Sequence, residues 1–148
     1  MKKYEFSLKR IKDYKTQMLN REKNTLLGLR MEKKGLEEKI ADLDKQYELI
    51  NQEMHKNFKE GMTIAQLNIY EFRKNGVREE KKSILKRINL LDISIERQQK
   101  KVVLAKQEVS GLDKLEEKQL EEYIAAYNKE QEDIIAEFVS TSYTREEN

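Results

Sequence analysis

The 148-residue sequence contains no cysteine, no proline and no tryptophan, and it has one histidine and five glycines. Without cysteine there is neither a disulfide scaffold nor a thiolate zinc site, and the composition fits a reducing compartment. Without proline, no residue forbids a long uninterrupted helix. The histidine, His55, has no second His or Cys with which to share a metal ion and reads as a surface residue flanking a helical seam. The glycines at 28, 35, 61, 76 and 111 are scattered. None opens the G-x-x-x-x-G-K-[ST] loop that cradles phosphates, which argues against nucleotide hydrolysis and leaves no cofactor to expect. No apolar run approaches the roughly 20 residues that span a bilayer. The basic start, Met1-Lys2-Lys3, is not followed by the apolar stretch of a signal peptide. A soluble, cytoplasmic protein is the expectation.

What is present is charge and helical periodicity. Charged residues make up 39% of the chain and apolar ones 37%, a balance that suits either a disordered chain or a long helix burying a narrow stripe. The spacing selects the helix. Leu29, Leu36, Leu43 and Ile50 recur every seven residues, interleaved with Leu19, Leu26, Ile40, Tyr47 and Met54, the 3-4 pattern of a coiled-coil seam. A second seam alternates Val77, Ile84, Leu91, Ala105 and Leu112 with Leu67, Ile88, Ile95, Val102 and Val109, with Gln98 as its polar exception. The two seams are out of step by one residue, and the phase changes between Met54 and Leu67.

That interval reads Glu60-Gly61-Met62-Thr63-Ile64-Ala65-Gln66-Leu67. Gly61 can end a helix in the left-handed conformation. Thr63 and Gln66 have the spacing of a capping box, and Met62 and Leu67 that of a hydrophobic staple. Stop, cap and staple predict a tight reversal. Asn75-Gly76 is a rival turn dipeptide, but the second seam passes through it without changing phase. The fold class expected is all-α: one domain over 1–148, a long antiparallel two-helix coiled-coil hairpin with a C-terminal helix overhang. Helix 1 is placed at about 5–59, the turn at about 60–63, helix 2 at about 63–139, and a frayed tail at 140–148.

Charge is polarised along this hairpin. Residues 1–35 hold eleven Lys/Arg against four Asp/Glu, and residues 108–148 hold four against twelve. Folding back brings the two ends together, with Lys9, Arg10, Lys12 and Lys15 near Asp113, Glu116 and Glu117. The basic arm then requires no nucleic acid, and no nucleic-acid motif accompanies it. Carboxylate pairs such as Glu121 and Glu122 read as solvated faces, because a narrow coiled coil offers no enclosed pocket in which to do acid–base chemistry. The chain reads as a non-enzyme. Because the arms are unequal, residue 5 falls near residue 118, and about 119–139 is expected to lack a partner within the chain. That segment carries an apolar stripe, Leu120, Ile124, Tyr127, Ile134 and Phe138, and is a candidate docking surface. Tyr123 and Tyr127 would be aromatic anchors there, or else pack in a homodimer or against the first residues of the chain.

The approach to this segment reads Leu112-Asp-Lys-Leu-Glu-Glu-Lys-Gln-Leu-Glu-Glu-Tyr123, followed by Glu130-Gln-Glu-Asp133 and Ala136. It resembles the C-terminal signature of the flagellar export protein family FliJ. The opening Tyr4-Glu-Phe6-Ser-Leu8 is similar to that family's Phe-x-Phe-x-Leu start. The resemblance implies a hairpin like the central stalk of rotary ATPases. Its terminal end would bind the hexameric flagellar export ATPase, promote ring assembly and link it to the cytoplasmic domain of the export gate membrane protein. It also implies handling of export chaperones, and attachment to the inner face of the cell membrane through partners only. Carried onto matching positions, Lys118, Gln119, Glu122, Tyr123, Glu130 and Asp133 would face the partner, beside Leu120, Ile124 and Tyr127 from the apolar stripe. The reading from another class is a scaffolding coiled coil that self-associates through the same stripe.

Overall fold

The computed structural model describes residues 2–147. Two helices account for nearly all of them, α1 over Lys9–Glu60 and α2 over Ile64–Glu147. They pack against each other as an antiparallel hairpin, and the turn lies where the phase of the sequence breaks. Gly61 has φ +102° and is the one residue with positive φ among those described, and its N–H donates to the Phe58 carbonyl at 3.3 Å. The capping box is made in both directions: the Gln66 N–H donates to the Thr63 hydroxyl at 3.2 Å, and the Thr63 N–H donates to Gln66 Oε1 at 3.1 Å. Orphan amide donors at the start of α2 are satisfied at no cost in buried area. Asn75 and Gly76 lie inside α2, where the Asn75 side chain accepts from Arg78.

The chain divides into two compact units, residues 22–102 and residues 1–21 with 103–148. In the first, Leu43, Ile50, Tyr70, Ile88, Leu91 and Val102 are buried, and the other predicted seam positions are half-buried. No described side chain is fully enclosed, as expected of a two-helix seam open to water along both edges. The polar exception is accommodated. Gln98 is buried, and its amide donates to the Glu22 carbonyl at 3.0 Å and to the Glu22 carboxylate. A buried amide that finds its partner in only one alignment specifies register.

The seam holds residues that periodicity alone passes over. Lys74 is buried among the apolar positions. Its stem lies along the seam while its ammonium sits 5.3 Å from the centre of the Tyr47 ring and 3.5 Å from Glu71. The Arg78 guanidinium also lies over that ring, at 5.2 Å, and donates to its hydroxyl at 2.5 Å. Interhelical ion pairs flank the strip: Lys33–Asp92 and Lys81–Asp44 at 2.7 Å, and Arg87–Glu32 at 2.6 Å. Each is half-exposed and contributes about 0 to 1 kcal/mol, so their consequence is alignment more than stability.

The helix limits depart from expectation at both ends. α1 begins at Lys9, not near residue 5. Its first turn contains no acidic residue and starts Lys-Arg, charges that oppose the helix dipole, and the residues before it find side-chain partners instead. α2 runs to Glu147, through the stretch expected to fray from 140. After Gly111 the chain has neither Gly nor Pro to stop it, and the Thr144 hydroxyl folds back onto the Ser140 carbonyl at 2.9 Å. Asn148 lies outside the described residues.

Candidate functional site

In the unit of residues 1–21 and 103–148, α1 supplies the cations and α2 the anions. Lys12 reaches Asp113 at 2.7 Å and Glu116 at 2.5 Å, and Lys15 reaches Glu108 at 2.9 Å. Lys12 thus meets two of the three expected carboxylates, while Lys15 pairs one turn earlier, with Glu108. Hydrogen bonds from Lys12 to Asp113 and Glu116 raise its pKa above the ordinary lysine range. The Asp92 carboxylate does the same for Lys33. A raised folded pKa means that the stabilisation is fully present below the ordinary value of 10.5 and is lost as pH climbs through the folded value. The difference in melting midpoint between the wild type and Lys12→Met is therefore expected to stay constant from pH 7 to 9 and to shrink above pH 10.5, as followed by circular dichroism.

Ahead of α1, residues 2–8 are not helical and lie along α2. Phe6 is buried. The Tyr4 hydroxyl donates to the Glu116 carbonyl at 3.2 Å, and the Tyr4 ring centre lies 5.4 Å from that of Tyr123 with the planes tilted by 57°. The Tyr123 hydroxyl donates to the Lys2 carbonyl at 2.6 Å. The Ser7 hydroxyl sits against the Gln119 amide, 3.3 Å from Oε1 and 3.2 Å from Nε2. These contacts correct one expectation. The partnerless part of helix 2 does not begin at about 119, because the N-terminal residues, though not helical, still cover α2 at Glu116, Gln119 and Tyr123.

The expected site residues consequently divide between faces of α2. Gln119, Tyr123 and Glu130 are half-buried, with Gln119 and Tyr123 engaged by the N-terminal segment. Lys118, Leu120, Glu122, Ile124, Tyr127 and Asp133 are exposed. Ile124 and Tyr127 are 48% and 44% exposed, and Phe138 is 73% exposed. From Gln131 to Glu147 every residue except Ser142 is exposed. Ile135, Val139 and Tyr143 widen the apolar surface beyond the stripe read from sequence. Ile135 and Val139 lie within the expected helix beside the stripe, and Tyr143 continues their four-residue spacing into residues read as a polar tail.

Among the described residues no cluster of His, Cys, Asp or Glu could hold a metal ion, and His55 is exposed. Among the described residues no helix is long and apolar enough to cross a membrane. The surface depressions are shallow, including one along Ala126, Lys129, Glu130, Asp133, Ile134 and Glu137.

No curated protein and no solved structure is matched by the chain. The family model of the flagellar FliJ protein matches residues 4–148, nearly the whole length, and so takes in the N-terminal segment, the hairpin turn and the exposed end of α2 together. With its helical hairpin of the kind the opening and C-terminal signatures imply, the chain belongs to the FliJ family and is a component of the flagellar export apparatus.

Proposed function

We propose that this protein is a non-enzymatic, stalk-like adaptor whose terminal end binds the hexameric flagellar export ATPase. In this role it promotes assembly of the ring and couples it to the cytoplasmic domain of the export gate, and it handles export chaperones. The observation that carries the reading is the uncovered apolar face of α2 from Leu120 through Ile124 and Tyr127 to Phe138. A contiguous apolar face left in water is unfavourable unless a partner covers it. The acidic C-terminal stretch around that face favours a partner surface with a basic rim. Lys118, Glu122 and Asp133 would then contribute rim contacts, with Ile124 and Tyr127 as anchors.

The test is recovery of partners by the tagged protein from flagellated cells, with Ile124→Ala/Tyr127→Ala beside the wild type. Both side chains are about half exposed, so truncation leaves the seam intact and helicity is expected to change little. Recovery of the export ATPase, reduced tenfold or more in the variant on the order expected for anchor loss, supports the reading. Equal recovery by both proteins would remove this face from the docking site. Recovery of the protein's own copies alone would favour the self-associating scaffold.

A further inference from the structure

We propose that residues 2–8 form a displaceable strap, which covers the Tyr123 side of α2 in the free protein and yields it when a partner docks at the terminal end. The inference rests on the reading of that end as a docking surface. Its basis is how the segment is held. α2 already satisfies its own backbone through residues 116–123, so the strap adds no ladder to it and is retained by side chains. These are the Tyr4 and Tyr123 hydroxyls on the Glu116 and Lys2 carbonyls, the Ser7–Gln119 contact, the ring contact and the burial of Phe6.

Lifting the strap as far as Phe6 breaks no bond within either helix, and the Leu8 carbonyl, which accepts from the Lys12 N–H at 2.9 Å at the start of α1, marks the hinge. Of its residues only Phe6 is buried, while Lys2, Lys3, Glu5 and Ser7 are exposed, so opening can start at the N-terminal end and proceed to Phe6. What it uncovers is continuous with the free surface, because Gln119 and Tyr123 adjoin Leu120, Ile124 and Tyr127 on consecutive turns of α2. The bond from Tyr123 to the Lys2 carbonyl sets the basic start of the strap beside the acidic run that includes Glu121 and Glu122, and basic charge is what a basic-rimmed partner would supply in its place. A partner that needs the whole face meets it only in the open fraction, and its apparent affinity falls in proportion.

The absence of cysteine permits a direct test. Ser7→Cys/Gln119→Cys places two thiols across the strap. A short bismaleimide joins them, and the same variant capped at both thiols with N-ethylmaleimide is the reference. Binding to the purified flagellar export ATPase is measured for both forms, for the wild type and for Tyr4→Ala. A strap closed about nine-tenths of the time in the free protein predicts that Tyr4→Ala binds up to about tenfold more tightly than the wild type. The cross-linked form is expected to bind at least about tenfold more weakly than the capped form. Equal affinity of cross-linked and capped forms, with wild-type binding intact, overturns the strap and leaves the docking surface standing. Absence of binding by the wild type overturns the docking reading, and the strap with it.

Discussion

Leu43→Ala is expected to destabilise the hairpin by about 2 to 3 kcal/mol, and Leu49→Ala by no more than about 0.5 kcal/mol. The two leucines lie six residues apart on α1 and differ only in the face they occupy. Leu43 is 5% exposed and Leu49 is 63% exposed. Truncating Leu43 removes its transfer free energy and leaves a gap between the helices. The range for buried leucines extends to about 5 kcal/mol in enclosed cores, but water reaches this seam from both edges, so the loss should fall toward the lower end. Urea unfolding followed by circular dichroism checks both variants. A loss at Leu43 as small as that at Leu49 would mean that the helices are not held by this seam.

Gly61→Val is expected to cost about 2 to 3 kcal/mol, while Gly76→Ala stabilises by about 0.5 to 1 kcal/mol. A Cβ at either position would meet nothing within 4 Å, so neither effect comes from crowding by neighbours. Gly61 is at φ +102°, a conformation in which an L side chain collides with its own backbone, and β-branching makes the collision worse. Gly76 is helical, where glycine only adds freedom to the unfolded chain and so weakens the helix relative to alanine. Opposite signs from two glycine replacements, read as shifts in the denaturation midpoint, would locate the reversal at 60–63. Destabilisation at position 76 comparable to that at 61 would instead require a second turn inside α2.

The seams were legible because a coiled coil repeats one local rule. Every apolar position named for the two hairpin seams is buried or half-buried, and Gly61, Thr63 and Gln66 act within a few residues of one another, so their chemistry is complete in the local sequence. Lys74 and Lys81 escaped that rule, since a charged residue scores as an outward position until the long stem and a nearby Tyr47 or Asp44 make the inward one acceptable. The candidate site was legible only in part. Helical spacing located the stripe of Leu120, Ile124, Tyr127, Ile134 and Phe138, all exposed. It could not show that Tyr123, beside that stripe, is covered, because the cover comes from residues more than a hundred positions distant.

Taken alone, then, the sequence determined the elements whose causes are local: two helices, the point of reversal, the buried strip and the opposition of a basic start to an acidic end. Tertiary structure decided which side of α2 is free. Non-helical residues 2–8 have no periodicity from which to read their course, and their partners on α2 are settled only when the chain has folded back and Tyr4, Ser7 and Lys2 meet Glu116, Gln119 and Tyr123. Whether a side chain on a surface helix is available to a partner is therefore a property of the packed chain: the local sequence assigns it a face, and only a contact distant in sequence covers that face or leaves it open.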